Sequence, residues 1–221
     1  MEKLTKIMCV LACASTFTLA RVNANTTVTV DPSATWIGYM NVFALPADGG
    51  GYMFGSAWGT SALPATFSGP VLTLAPNVNT YNATDPYWVK PDGSGNKTCD
   101  ASMYVQNDAL AGSTVEFTGL TLANTLVSPY TSVAFIKDFV ADYSSSTTVT
   151  APLVGGTGWD LTLATTAGDH IQYGFETIGP DANPATVASL GNAQVVPEPS
   201  SIALALVGLL GFVTVLRKRR V

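Results

Sequence analysis

Apolar and polar residues alternate in short runs along the middle of the chain. Apolar side chains occupy every second position in residues 114–118, 159–163 and 170–175. A period of two places these side chains on one face of a β-strand and the polar ones on the other. Segments rich in β-branched and aromatic residues predict further strands at 36–43, 52–58, 71–74, 103–106, 133–139 and 148–153.

Turn signals separate the predicted strands. Gly, Pro, Ser and Asp cluster at 48–50, 68–70, 91–93, 155–156 and 168–169. Strong helix formers such as Glu, Lys, Arg and Gln are scarce in this region. Many short strands joined by turns predict an all-β fold, a β-sandwich, and argue against a parallel α/β sheet.

The N-terminus has the order of a secretory signal peptide. Lys3 and Lys6 precede an apolar stretch at residues 7–20, and the small-residue site Val22-Asn23-Ala24 follows. This order predicts export and cleavage after Ala24, so the fold begins at residue 25.

The C-terminus combines a short motif, a short apolar segment and a basic end. Val196-Pro197-Glu198-Pro199 precedes the apolar residues 202–216, and a basic cluster follows. The cluster consists of Arg217, Lys218, Arg219 and Arg220. Basic residues behind an apolar segment stop translocation and stay in the cytoplasm. An ordinary transmembrane helix needs about 20 residues. The apolar segment is shorter, and a short segment suits temporary retention in the membrane.

This arrangement resembles the PEP-CTERM sorting tail of proteins exported by Gram-negative bacteria that build extracellular polysaccharide. The resemblance implies the secretion machinery and an exosortase, a membrane-embedded enzyme that recognises and removes the tail, as partners. It implies transient anchoring in the inner membrane through the tail, followed by a place at the cell surface or outside the cell. We therefore predict three regions: a signal peptide at 1–24, a β-sandwich domain at 25–190, and a linker with the sorting tail at 191–221. The apolar span of the tail is predicted at about 200–216.

Removal of both ends makes the remaining chain strongly acidic. Residues 25–196 contain three lysines, no arginine and thirteen acidic residues, a net charge of −10. Such a surface repels phosphate backbones and excludes nucleic acid as a partner. Cys99 is the single cysteine of this region, so no internal disulfide can form.

A second resemblance concerns residues 116–179. The segments Glu-Phe-Thr-Gly at 116–119, Val-Ala-Phe-Ile-Lys-Asp-Phe at 133–139 and Ile-Gln-Tyr-Gly-Phe-Glu at 171–176 are similar to the later strands of jelly-roll carbohydrate-binding modules with a galactose-binding-like fold. The resemblance implies a non-catalytic sandwich and leaves room for a structural calcium ion. No other cofactor is expected.

Candidate ligand-binding residues are of two kinds. Trp58, Tyr87 and Trp88 are aromatic platforms on which a sugar could stack, although sandwiches also bury such residues in the core. The second kind lies on the strand faces that point away from the core, if the core is formed by Val115, Phe117, Tyr173 and Phe175. Side chains on those outer faces could line one concave sheet. These candidates are Glu116, Gln172 and Glu176. Glu116 and Glu176 also raise the alternative of a glycoside hydrolase, although neither lies in a recognisable catalytic motif.

Two further features bear on metal binding or catalysis. Alternate residues from 92 to 100 match positions 1, 3, 5, 7 and 9 of a calcium loop, but Lys97 and Met103 stand where the loop needs Gly and Glu. The alternate residues are Asp92, Ser94, Asn96, Thr98 and Asp100. The metal ligands are therefore left open. His170 lacks a second histidine or a serine motif and is predicted to be structural or superficial.

The sequence predicts no enzyme. Our first hypothesis is a non-catalytic polysaccharide-binding protein of the cell surface or extracellular matrix. The second is a purely structural matrix or biofilm protein. The third is the jelly-roll glycoside hydrolase that uses Glu116 and Glu176.

Overall fold

The structure, a computed structural model, describes residues 25–198. The predicted signal peptide, Pro199, the apolar span and the basic cluster Arg217, Lys218, Arg219 and Arg220 lie outside the described residues. Within residues 25–198, no helix is long and apolar enough to cross a membrane.

The described chain forms twelve strands and four short 3₁₀ helices. The strands are β1 Asn25–Val28, β2 Ile37–Ala44, β3 Tyr52–Trp58, β4 Ala65–Ser68, β5 Val71–Leu74, β6 Lys97–Gln106, β7 Thr114–Asn124, β8 Thr131–Phe139, β9 Ser146–Pro152, β10 Gly158–Ala164, β11 His170–Pro180 and β12 Ala193–Val196. The 3₁₀ helices are Pro46–Asp48, Thr60–Ala62, Asp108–Leu110 and Val187–Leu190. The prediction of an all-β sandwich is confirmed.

Two six-stranded sheets make up the sandwich. Sheet A has the order β1-β7-β12-β5-β4, with β10 also paired to β7, and sheet B has the order β3-β2-β6-β11-β8-β9. Neighbouring strands are antiparallel except β1 and β7, which are parallel. This two-layer architecture agrees with the jelly-roll resemblance.

The core lies between the sheets and is centred on aromatic rings. Phe117 of sheet A lies 5.3 Å from Tyr173 and 5.5 Å from Phe175 of sheet B, between ring centroids. Trp159 packs against Phe117 and Phe175 at 5.8 and 5.6 Å. Each such buried ring contributes about 1.5–3 kcal/mol relative to exposure. The period-two alternation predicts which side chains face the core, and this is confirmed for Val115, Phe117, Tyr173 and Phe175.

The sandwich extends beyond the predicted domain boundary at residue 190. Strand β12 at Ala193–Val196 lies inside sheet A between β5 and β7, and Ala193 and Val195 are fully buried. The four residues of β12 are too few to show a clear period-two pattern, and its partner strands lie far away along the sequence. No linker therefore separates the domain from Pro197.

Candidate functional site

The outer face of sheet B contains a cleft of about 460 Å³. We call it the sheet B cleft. It is lined by Tyr39, Asn41, Ser102, Tyr104, Gln106, Lys137, Phe139, Tyr143 and Gln172. These side chains come from four neighbouring strands and from the loop that joins β8 to β9. The lining combines aromatic rings, amides and hydroxyls with a single cation.

Antiparallel register brings these residues into rows across the sheet. Gln106 pairs with Gln172, which pairs with Lys137. In the next row, Gly174 lies between Tyr104 and Phe135. The backbone of β6 comes close to Gly174, so that an added Cβ would lie only 2.2 Å from the Met103 carbonyl oxygen.

The cleft is elongated along the strands. Asn41, at one end, pairs with Asp100 in β6, whereas Gln106 lies toward the other end of the same strand. Six residue steps at about 3.4 Å each give a length of about 20 Å. A groove of this length suits an extended chain better than a single small molecule.

A fixed aromatic ring closes one end of the cleft. Tyr143 stacks on the His170 imidazole with 4.3 Å between centroids and 6° between planes. The Tyr143 hydroxyl accepts a 2.8 Å hydrogen bond from Gln106 Nε2, and His170 Nδ1 lies 2.8 Å from Asp108 Oδ2. The bond to Asp108 raises the pKa of His170. His170, predicted to be structural or superficial, also supports Tyr143, which lines the cleft.

An ion pair lies at the middle of the same face. Lys137 Nζ donates a hydrogen bond to Glu176 Oε1, and both side chains are largely buried. The Lys137 ammonium also lies 4.5 Å from the centroid of the Phe135 ring. Pairing satisfies the carboxylate of Glu176 and leaves little free positive charge in the cleft.

Asp100 lies next to this pair on the outer face. Its Oδ1 atom is buried without a hydrogen-bond partner. Burial and the nearby charge of Glu176 raise the pKa of Asp100 to about 7, against the opposing effects of Lys137 and a hydrogen bond from Asn41. A carboxyl group that stays protonated near neutral pH can donate a hydrogen bond as well as accept one.

The structure separates the two glutamates that were expected to share one concave sheet. Glu176 faces outward from sheet B, whereas Glu116 faces outward from sheet A, where Thr27 Oγ1 donates a 2.7 Å hydrogen bond to it. Packed sheets lie about 10 Å apart, and both side chains point away from the interface. The two carboxyl groups are therefore further apart than the paired carboxyl groups of glycosidases, whose separation is at most about 9.5 Å. The hypothesis of a hydrolase that uses Glu116 and Glu176 is wrong in geometry.

The predicted aromatic platforms lie outside the sheet B cleft. Trp58 packs against the core and its Nε1 donates to Ser56 Oγ at 3.0 Å. Trp88 also packs against the core. Tyr87 is partly exposed, but the ammonium of Lys97 lies 4.6 Å from its ring centroid. Of the six predicted ligand residues, Gln172 lines the cleft and Glu176 lies on its face.

The calcium loop suggested by residues 92–100 does not form. Asp92 Oδ1 accepts hydrogen bonds from the backbone and hydroxyl of Ser94 in a tight turn, while Thr98 and Asp100 belong to strand β6. An extended strand cannot wrap its alternate side chains around one ion. Within residues 25–198, no group of three or more His, Cys, Asp or Glu side chains is arranged to hold a metal ion.

Sequence reasoning missed most of the cleft lining. Tyr39 and Asn41 alternate with the core residues Met40 and Val42 in β2, so the period-two pattern could have identified them. Tyr143 lies in a loop, and nothing in the local pattern indicates its role.

The C-terminal end of the chain matches a known family model. Residues 195–220 match the PEP-CTERM protein-sorting motif. The chain carries a PEP-CTERM sorting tail. It is therefore exported as an exosortase substrate, with a membrane-anchored tail. Comparisons with curated proteins and with solved structures give no match.

Proposed function

We propose that this exported protein binds an extracellular polysaccharide along the sheet B cleft, at the cell surface or in the surrounding matrix, without catalysing a reaction. The observation that carries the proposal is the cleft itself, an elongated groove in which tyrosine rings alternate with amide and hydroxyl groups. Aromatic rings stack on the apolar faces of sugars, and amides and hydroxyls bind sugar hydroxyl groups.

Charge favours a neutral polymer. The mature region carries a net charge of −10, and the lysine in the cleft is already paired with Glu176. An anionic polymer would meet repulsion without a free cation to offset it. We therefore expect binding to neutral glycans that changes little with salt concentration.

The experiment is a binding assay with protein released into the medium. Insoluble and immobilised polysaccharides, neutral and anionic, are incubated with wild type and with Gln172→Ala. Wild type should bind at least one neutral glycan, and the variant should bind it at least tenfold more weakly. Lack of binding across the panel would favour the alternative of a purely structural matrix protein.

Hydrolysis of the same polymer is a second candidate, favoured by one observation. Asp100 and Glu176 lie on the same face of adjacent strands, and the pKa of Asp100 is raised to about 7, as for a general acid. Product analysis after incubation with each bound glycan separates the two functions. Release of shorter chains by wild type, but not by Asp100→Asn, would replace binding alone by catalysis.

A further inference from the structure

The sorting tail begins inside the fold. Residues 195–220 match the sorting motif, and Val195 and Val196 belong to β12, which is paired with β5 on one side and β7 on the other. Val195 is fully buried. The segment that a sorting enzyme can reach on the folded domain therefore starts at Pro197.

The chain leaves the domain over the outer face of sheet A. Glu198 Oε1 lies 4.0 Å from the position that a Cβ atom would take on Gly158. Gly158 points outward, because the next residue, Trp159, is buried in the core. Glu198 therefore lies on the outer side of this sheet, opposite the sheet B cleft.

The remaining distance to the apolar span is short. Four residue steps separate Glu198 from Ile202, the first residue of the apolar run. Fully extended, they cover at most about 14 Å. An enzyme embedded in the membrane that acts on this tail must therefore work directly beside sheet A.

The chemistry of this face fits a protein better than a lipid surface. Its outward side chains include the carboxylates of Asp160 and Glu116 and the hydroxyl of Thr162. The apolar Leu120 and Leu122 lie among them on β7. Among the described residues, the three lysines lie outside the strands of sheet A. Anionic head groups would be repelled by such a face, whereas a protein surface with hydrogen-bond donors or basic side chains would complement it.

From this placement, we infer that the outer face of sheet A is the surface that the exosortase contacts while it processes the tail. The contact surface centres on Leu120, Gly158, Asp160 and Thr162. In this arrangement, the sheet B cleft faces away from the enzyme. This inference does not depend on what the cleft binds.

Photo-crosslinking tests the contact in cells that produce the full chain and its exosortase. A photoreactive residue replaces Thr162 in sheet A or, as a matched control, Thr148 in sheet B; both are exposed threonines on strands. The inference expects a crosslink to the exosortase from position 162 and none from position 148. Crosslinks from both positions, from neither, or to lipid alone would overturn it.

A charge substitution gives an independent readout. Thr162→Lys is compared with Thr150→Lys, an exposed threonine of β9 on the opposite face. In pulse-chase experiments, Thr162→Lys should change the rate of tail removal at least threefold, whereas Thr150→Lys should match wild type. Equal melting temperatures of the two variants would exclude misfolding as the cause. Equal processing rates would refute the contact.

Discussion

The ring of Tyr143 lies flat on the imidazole of His170, 4.3 Å away between centroids. Tyr143 has a backbone φ of 58°, a left-handed conformation that costs free energy for a bulky residue. The stack, the hydrogen bond from Gln106 and the nearby Phe139 ring hold it in place. An aromatic platform fixed in this way loses little conformational entropy when a ligand binds.

Replacement of Tyr143 should weaken glycan binding. We choose Tyr143→Asn because asparagine tolerates the left-handed backbone. Loss of this aromatic contact should cost about 2 kcal/mol, which corresponds to an affinity about thirtyfold lower. Affinity electrophoresis with the polysaccharide that wild type binds measures the change.

Tyr87→Asn is the matched control for this experiment. Tyr87 is a partly exposed tyrosine outside the cleft. Its replacement should leave the affinity within about twofold of wild type. If both variants lose affinity equally, or if Tyr143→Asn binds normally, the ligand does not occupy the cleft.

Alternation along single strands predicts which way a side chain points, but not which sheet it belongs to. The pattern around Glu116 and around Glu176 correctly orients both outward. The pairing of β7 with β10 and of β11 with β6 then assigns them to opposite sheets, and this pairing joins residues far apart in sequence. Tyr143 illustrates a second limit, because its position depends on a turn and on contacts with His170 that exist only in the folded chain.

Stability should fall as pH rises from about 4 to about 7. Burial, followed by the charge of Glu176, raises the pKa of Asp100 to about 7, and burial raises that of Asp181 to about 6. An aspartate in the unfolded chain has a pKa of about 3.9, so the folded state binds more protons than the unfolded state in this window. Unfolding therefore becomes easier as the proton is lost. Melting temperatures at pH 5 and pH 7.5 should differ by several degrees, with the higher value at pH 5.

Asp100→Asn should reduce this pH dependence, because the amide cannot ionise. Asp142→Asn is the control, since hydrogen bonds from Ser144 lower the pKa of Asp142 and its titration falls below the window. If Asp100→Asn retains the full difference between the two pH values, Asp100 is not the responsible group.

Gly174→Ala should destabilise the domain. The added Cβ would lie 2.2 Å from the Met103 carbonyl oxygen and 2.6 Å from Tyr104 Cα, both backbone atoms that cannot move without disturbing β6. Overpacking of this kind costs about 1–3 kcal/mol. Urea unfolding of the variant measures the loss.

Gly51→Ala provides the comparison for this glycine. A Cβ at Gly51 meets no atom within 4 Å, and its φ lies outside the left-handed region. Its stability should equal that of wild type or slightly exceed it. If the urea midpoint of Gly174→Ala equals that of wild type, β6 and β11 can separate enough to admit a methyl group.

Val195→Asp should prevent folding of the domain. Val195 is fully buried and paired with Leu72, so the substitution places an unpaired carboxylate in the core. We expect a cost of several kcal/mol, enough to unfold a marginally stable domain. Thermal unfolding and the amount of protein recovered from the medium measure the effect. Val154→Asp, at an exposed position, should behave like wild type.

Leu72→Asp distinguishes loss of the fold from loss of the sorting signal. Leu72 is also fully buried and faces the same part of the core, but it lies outside the segment that matches the sorting motif. If Val195 acts through the fold, both variants should fail to accumulate to the same extent. A stable but unprocessed Val195→Asp protein, beside an unfolded Leu72→Asp protein, would instead show that the exosortase reads Val195 directly. In that case, β12 would have to leave the sheet before the tail is cut.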